Sequence, residues 1–137
     1  MAANHRFEFR AQLRDLESGL DALHAALDDL RHTLGRTAED RPLMFFETAL
    51  AEIANNALVH GDVSRERPVD LVIRTDAETV VGWVVDSGPA VGDRWVRDMP
   101  AAMSEAGRGL ALARSMLDKL EYERNGDNNR WRLVKRL

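Results

Sequence analysis

The segment from Phe46 to Gly61 constrains this chain more than any other. Phe46, Leu50, Ile53, Ala54 and Ala57 fall on one side of a 3.6-residue period, while Glu52, Asn56 and His60, spaced four apart, form a stripe on another. A helix of this kind must bury its apolar side against a second layer. Its polar stripe can be an ordinary solvated face, since Glu and Asn meet at this spacing in many helices. It can also hold a carboxylate and an amide side by side, as a base and a metal ligand. Two later runs bear on the choice: Asp86-Ser87-Gly88 and Gly107-Arg108-Gly109-Leu110.

The rest of the chain supplies the second layer. His5-Arg6-Phe7-Glu8-Phe9-Arg10 alternates as a short strand does. Leu13, Leu16, Leu20, Leu23, Leu27, Leu30 and Leu34 then recur at steps of three and four, an amphipathic helix with Gly35 as its stop. A core helix packed on a sheet accounts for this seam better than a free coiled coil, and a further contact with a second subunit stays open. Thr37 or Asp40 can cap the next helix, with Pro42 in its first turn and Gly61 just beyond its end.

After a loop around Arg65 to Pro68, Val69 to Thr75 and Thr79 to Val85 are β-rich and joined by the turn Asp76-Ala77-Glu78. Pro89, Gly92, Pro100 and interleaved charges make the stretch from Gly88 to Gly107 read as a mobile loop. Leu110, Ala113, Met116, Leu117 and Leu120 mark a third helix. Asn125-Gly126 then turns a hairpin of Tyr122 to Arg124 with Trp131 to Leu137. The sum is an α+β fold: a two-layer sandwich of a mostly antiparallel sheet with three helices on one face, in a single domain over residues 1–137.

Composition closes several functional classes. There is no cysteine, which excludes disulfides, thiolate metal sites and thiol catalysis. Hydrophobic content of 45% supplies a core without covalent staples. Acidic residues outnumber basic ones, 23 to 19, for a net charge of -4, so direct nucleic-acid binding is not expected. Arg130, Arg132, Lys135 and Arg136 cluster near the end, where strand alternation makes most of them a wet face. No apolar run approaches the roughly 18 residues of a membrane span, and no signal-peptide core is present. The expectation is a cytoplasmic protein with no membrane association.

Asp86 ends a strand beside a small residue and Gly88. A carboxylate there can accept a hydrogen bond from an exocyclic amine while the glycine lets a ring approach the backbone, or the three residues can be a plain turn. Gly107 and Gly109 sit directly before the third helix, where free N–H groups without side chains bind phosphate oxygens. Arg108 can meet a phosphate or point to water.

In order, these boxes resemble the ATP-binding fold shared by gyrase, Hsp90, histidine kinases and MutL, the Bergerat fold. Glu52, Asn56 and Ala57 match Glu-x-x-x-Asn-Ala; Asp86 and Gly88 match Asp-x-Gly; Gly107, Gly109 and Leu110 match Gly-x-Gly-Leu. Within that superfamily the chain is most similar to the anti-sigma factor serine/threonine protein kinases, through Asn56-Ala57-Leu58-Val59-His60-Gly61, Glu105-Ala106-Gly107-Arg108-Gly109 and the terminal Leu133-Val134-Lys135-Arg136-Leu137.

The resemblance implies a site for ATP and Mg²⁺. Asn56 would hold the metal, Asp86 would read the adenine amine, and Glu52 would take the proton of a serine or threonine hydroxyl. Gly88, Gly107, Arg108, Gly109 and Leu110 complete the nucleotide site, with His60 able to reach phosphate or to cap its helix. The implied substrate is an anti-anti-sigma (STAS-domain) protein, the implied sequestered partner a sigma factor or equivalent regulator, and the implied assembly a homodimer. The rivals are an ATP-binding regulator without catalysis and an ATPase that uses water. Two departures stand out. Pro89-Ala90 follows Gly88 where a second glycine is usual, and Asn128-Asn129-Arg130 stands where relatives often read Gly-Thr-Thr. Trp95 is either partner surface or an aromatic tucked under its loop.

Overall fold

The computed structural model describes residues 7–60, 67–76, 78–89 and 105–137, with the side chains of His60 and of residues 105–108 left aside. Gly61, Arg65, Ala77, Gly92, Trp95 and Pro100 therefore lie outside the described residues, as does most of the stretch read as a mobile loop.

Alternating side chains build the sheet. The strands are β1 (Phe7–Leu13), β2 (Val69–Thr75), β3 (Thr79–Asp86), β4 (Lys119–Asn125) and β5 (Asn128–Arg136). They pair antiparallel throughout in the order β1-β2-β3-β5-β4. Val69, Leu71, Ile73 and Thr75 on β2, Val80, Gly82 and Val84 on β3, and Trp131 and Leu133 on β5 are all buried on the face toward the helices. The other face carries Arg10, Arg74, Trp83, Arg130 and Arg132, which line two open troughs. This is the two-layer α+β sandwich that the hydrophobic periods predict.

Helix α1 (Leu16–Leu34) begins where Asp15 accepts from the Ser18 N–H at 2.9 Å, and stops at Gly35, whose φ of 67° is the left-handed conformation a glycine adopts at little cost. Leu23, Leu27 and Leu30 are fully buried, and Leu20 and Leu34 are half-buried. The leucine seam is thus a core stripe. Leu16, at 39% exposure, is the one member turned mainly outward. Leu13 is buried as the last residue of β1 rather than the first of the helix, because the strand runs three residues beyond Arg10 to pair with Val69.

Helix α2 (Arg41–His60) is capped by Asp40, which accepts from the Leu43 N–H at 3.0 Å; Thr37 instead closes the preceding turn. Leu43, Phe46, Ala49, Leu50, Ile53 and Ala54 are fully buried under it. Helix α3 is Glu105–Met116. It ends earlier than leucine spacing predicts, since Leu117 turns the chain and Leu120 pairs with Leu133 in β4. Asp118 drives that exit: its N–H donates to the Val134 carbonyl and its carboxylate accepts from the Arg136 N–H. The helix also starts earlier than expected, so Gly107 and Gly109 lie within it rather than before it.

Candidate functional site

The helix-facing rows of β3 and β5 run apolar until their last members. Val80, Gly82 and Val84 end in Asp86, and Leu133 and Trp131 end in Asn129; the two polar residues are cross-strand partners. Both are buried, Asp86 at 5% exposure and Asn129 at 2%. A carboxylate so placed needs partners. Asp86 Oδ1 accepts from the Gly88 N–H at 2.8 Å and from Asn129 Nδ2 at 2.9 Å. Asp86 Oδ2 has no hydrogen bond among the described residues.

Helix α2 supplies the other half. Burial of Ile53, Ala54 and Ala57 on its inner side turns Glu52 and Asn56 to its boundary, both half-buried. Glu52 leans on α3: a Cβ on Gly109 would lie 2.6 Å from Glu52 Oε2, which only the absence of a side chain permits. Asn56 Nδ2 is buried with no hydrogen-bond partner among the described residues. Leu110 points the opposite way, into the core at 7% exposure.

The sequence-predicted residues therefore divide by role. Glu52 lies beside Gly109, and Asp86 accepts from the Gly88 N–H. Gly107 lies in the first turn of α3, where backbone N–H groups have no intrahelical acceptor and can face an anion. Gly109 lies beyond the first turn, so its N–H belongs to the helix and the missing side chain leaves room for Glu52. His60 is the last residue of α2; its side chain and that of Arg108 fall outside the described set. Leu110 is a core residue.

Sequence reasoning missed Tyr122 and Arg124, and met Asn129 only as part of a departure from the Gly-Thr-Thr pattern. Asn129 Oδ1 accepts from Tyr122 Oη and from Arg124 Nη1, and Arg124 Nη1 also donates to the Gly88 carbonyl at 2.6 Å. The available signal was the Asn125-Gly126 turn, whose register places Asn129 opposite Arg124.

Five antiparallel strands with three helices on one face define the ATPase fold of the histidine-kinase class. The chain belongs to the histidine kinase-like ATPase domain family, which it matches over residues 9–135. Solved structures share the fold. The RsbU and RsbW domains of Rv1364c from Mycobacterium tuberculosis align with a TM-score of 0.56 and 20% identity over 96% of this chain, which spans 33% of that one. The catalytic domain of histidine kinase ThkA aligns with a TM-score of 0.58 and 13% identity, covering 95% of this chain and 94% of that one. The histidine kinase domain of the blue-light activated kinase EL346 from Erythrobacter litoralis aligns with a TM-score of 0.55 and 18% identity, covering 92% and 67%. No curated protein matches the chain by sequence.

Membership implies ATP binding, and three features of the chain fit that ligand. Among the described residues Asp86 keeps one carboxylate oxygen uncommitted, Gly109 leaves a cradle that a Cβ would fill, and the Asn56 amide has a buried polar group without a partner. Among the described residues no cluster of three or more acidic or histidine side chains could hold a metal. Mg²⁺ does not require one, because it is commonly held by one or two protein oxygens together with phosphates and water. Among the described residues no helix is long and apolar enough to cross a membrane.

Proposed function

We propose that this chain is an ATP- and Mg²⁺-dependent protein serine/threonine kinase that phosphorylates an anti-anti-sigma (STAS-domain) protein and sequesters a sigma factor or equivalent regulator. The observation that carries the reading is the seat of Glu52: a carboxylate on α2, one turn before Asn56, fitted against Gly109 of α3, where a Cβ would lie 2.6 Å from its Oε2. A pure binder has no use for a base there. The Asn-Ala-x-x-His-Gly run from Asn56 to Gly61 supports the anti-sigma kinase branch, as does the shared fold with a chain carrying an RsbW domain.

In this reading Asp86 Oδ2 accepts from the exocyclic amine of adenine, and Gly88 lets the ring lie against the backbone. The first-turn N–H groups of α3, Gly107 among them, meet phosphate oxygens, with Arg108 next to Gly107 in the chain and His60 four residues after Asn56. Asn56 Oδ1 holds Mg²⁺, which when bound neutralises phosphate charge. Glu52 accepts the proton of the incoming hydroxyl. The same proposal takes residues 1–137 as a single cytoplasmic domain and a homodimer. That dimer rests on family resemblance alone, because the α1 leucines are used inside the chain.

The test is single-turnover transfer from ATP to a STAS-domain partner, read as a mass shift. Glu52→Gln keeps size and hydrogen bonding, so nucleotide and partner binding survive while transfer falls roughly 10²–10⁴-fold, the usual range for loss of a general base. The low end is expected, since a dissociative transition state asks little of a base. Equal rates remove Glu52 from the mechanism. A parent that transfers to no partner it binds is instead an ATP-binding regulator without catalysis.

A further inference from the structure

Asn129 has every polar atom of its side chain engaged, and the bonds leave its amide a single orientation. Oδ1 accepts from two donors, Tyr122 Oη and Arg124 Nη1, the latter at 3.1 Å. A tyrosine hydroxyl could accept from an amide NH₂, but the Arg124 guanidinium has no acceptor, so the oxygen must face Arg124 and Nδ2 must face the other way. There Nδ2 meets only acceptors: Asp86 Oδ1 at 2.9 Å, the Pro89 carbonyl at 2.8 Å and the Gly88 carbonyl at 3.3 Å. Tyr122 is itself held by its ring against Trp131, centroids 4.7 Å apart. Arg124 is fixed by the Gly88 and Gly126 carbonyls.

We infer that Asn129 is the positioning residue of the purine pocket, aiming Asp86 Oδ2 at the exocyclic amine by holding Oδ1. The inference rests on the adenine-nucleotide reading of the site. A rotated amide would set its oxygen against the carboxylate and turn Asp86 away. With Nδ2 committed to Asp86 and two carbonyls, this wall offers a ligand an acceptor and no donor. An amino group meets it well, and a keto oxygen meets like with like.

The experiment compares ATP with the triphosphate of purine riboside, which lacks only the 6-amino group. Dissociation constants are measured by calorimetry for the parent, Asn129→Thr and Asn129→Val. Threonine and valine have the same shape and both suit a strand, but only threonine carries a donor for Asp86. The parent prefers ATP by roughly 10- to 100-fold, the size of a hydrogen bond to a charged acceptor. Asn129→Thr keeps most of that preference, whereas Asn129→Val brings it to within about threefold, and purine riboside triphosphate binds all three proteins alike. A role in folding alone would weaken both nucleotides equally in both variants, and that result overturns the proposal. Full ATP preference in Asn129→Val also overturns it while leaving the nucleotide site intact. A parent that binds neither nucleotide overturns the adenine reading and this inference together.

Discussion

Glu52 and Gly109 compete for one volume: the Glu52 Oε2 atom stands 2.6 Å from where a Cβ on Gly109 would be. Two helices, α2 and α3, thus meet at a point where one gives up its side chain for the other's carboxylate.

Gly109→Ala is expected to separate stability from transfer. The added methyl faces the end of a flexible side chain, so Glu52 can swing aside, and alanine favours a helix over glycine by about 1 kcal/mol. The melting temperature should hold or rise slightly. Transfer should fall toward the level of Glu52→Gln, because the carboxylate no longer occupies its seat. Thermal melts alongside single-turnover transfer check this, and unchanged transfer would show that the seat does not matter.

Asn56→Ala should lose Mg²⁺-dependent nucleotide binding without loss of fold. Asn56 Nδ2 makes no hydrogen bond among the described residues, so truncation breaks none. Alanine also gains up to about 0.7 kcal/mol of helix propensity. Calorimetry with ATP, with and without Mg²⁺, measures the first effect and a urea titration the second.

Asp40 links stability to pH. Burial pushes its carboxyl upward, but the Leu43 N–H and the Arg36 guanidinium 2.7 Å away outweigh burial and hold it below its ordinary value of 3.8. Its contribution is therefore full above pH 3.8 and is lost as pH falls through the lower folded value. Asp40→Ala should cost about 0.5–2 kcal/mol at neutral pH, the range for losing an N-cap. Denaturation at a series of pH values should show the parent and the variant converging in acid.

Gly82→Ala should destabilise by about 1–3 kcal/mol, the typical penalty of overpacking. Its methyl would come 3.0 Å from Phe46 Cζ and 3.3 Å from Leu50 Cδ1, both side chains fully buried. Since α2 also carries Glu52 and Asn56, nucleotide affinity should fall along with the urea midpoint. A variant as stable as the parent would mean that α2 can move off the sheet freely.

Most elements are legible in the sequence because local signals agree with the global fold. Period and stop coincide at the end of α1, where the leucine seam and Gly35 point to the same boundary. Glu52, Asn56 and Asp86 are legible because a helical spacing or a strand end is a local property. Leu117 and Leu120 mislead for the opposite reason: their helical spacing is real, but pairing with β5 across the sheet decides where Leu120 goes. The same dependence hides Asn129. The Asn125-Gly126 turn sets Asn129 against Arg124, but its pairing with Asp86 of β3 is a long-range register that no local pattern reports. Gly109 reads as a phosphate-loop glycine until the approach of α2 is known.

The turn at Asn125 and Gly126, with Gly126 at a φ of 62°, works as the molecule's ruler. Counting from it puts Asn129 beside Asp86 on the helix-facing side of β5. One residue added to the turn would slide Asn128 into that slot and turn every later side chain of β5 over, sending Trp131 and Leu133 outward. The pocket and the core therefore share a single count. Apart from the left-handed Gly126, this hairpin tip can vary in composition but not in length, and a change in length would surface first as a protein that does not fold rather than as one that does not bind.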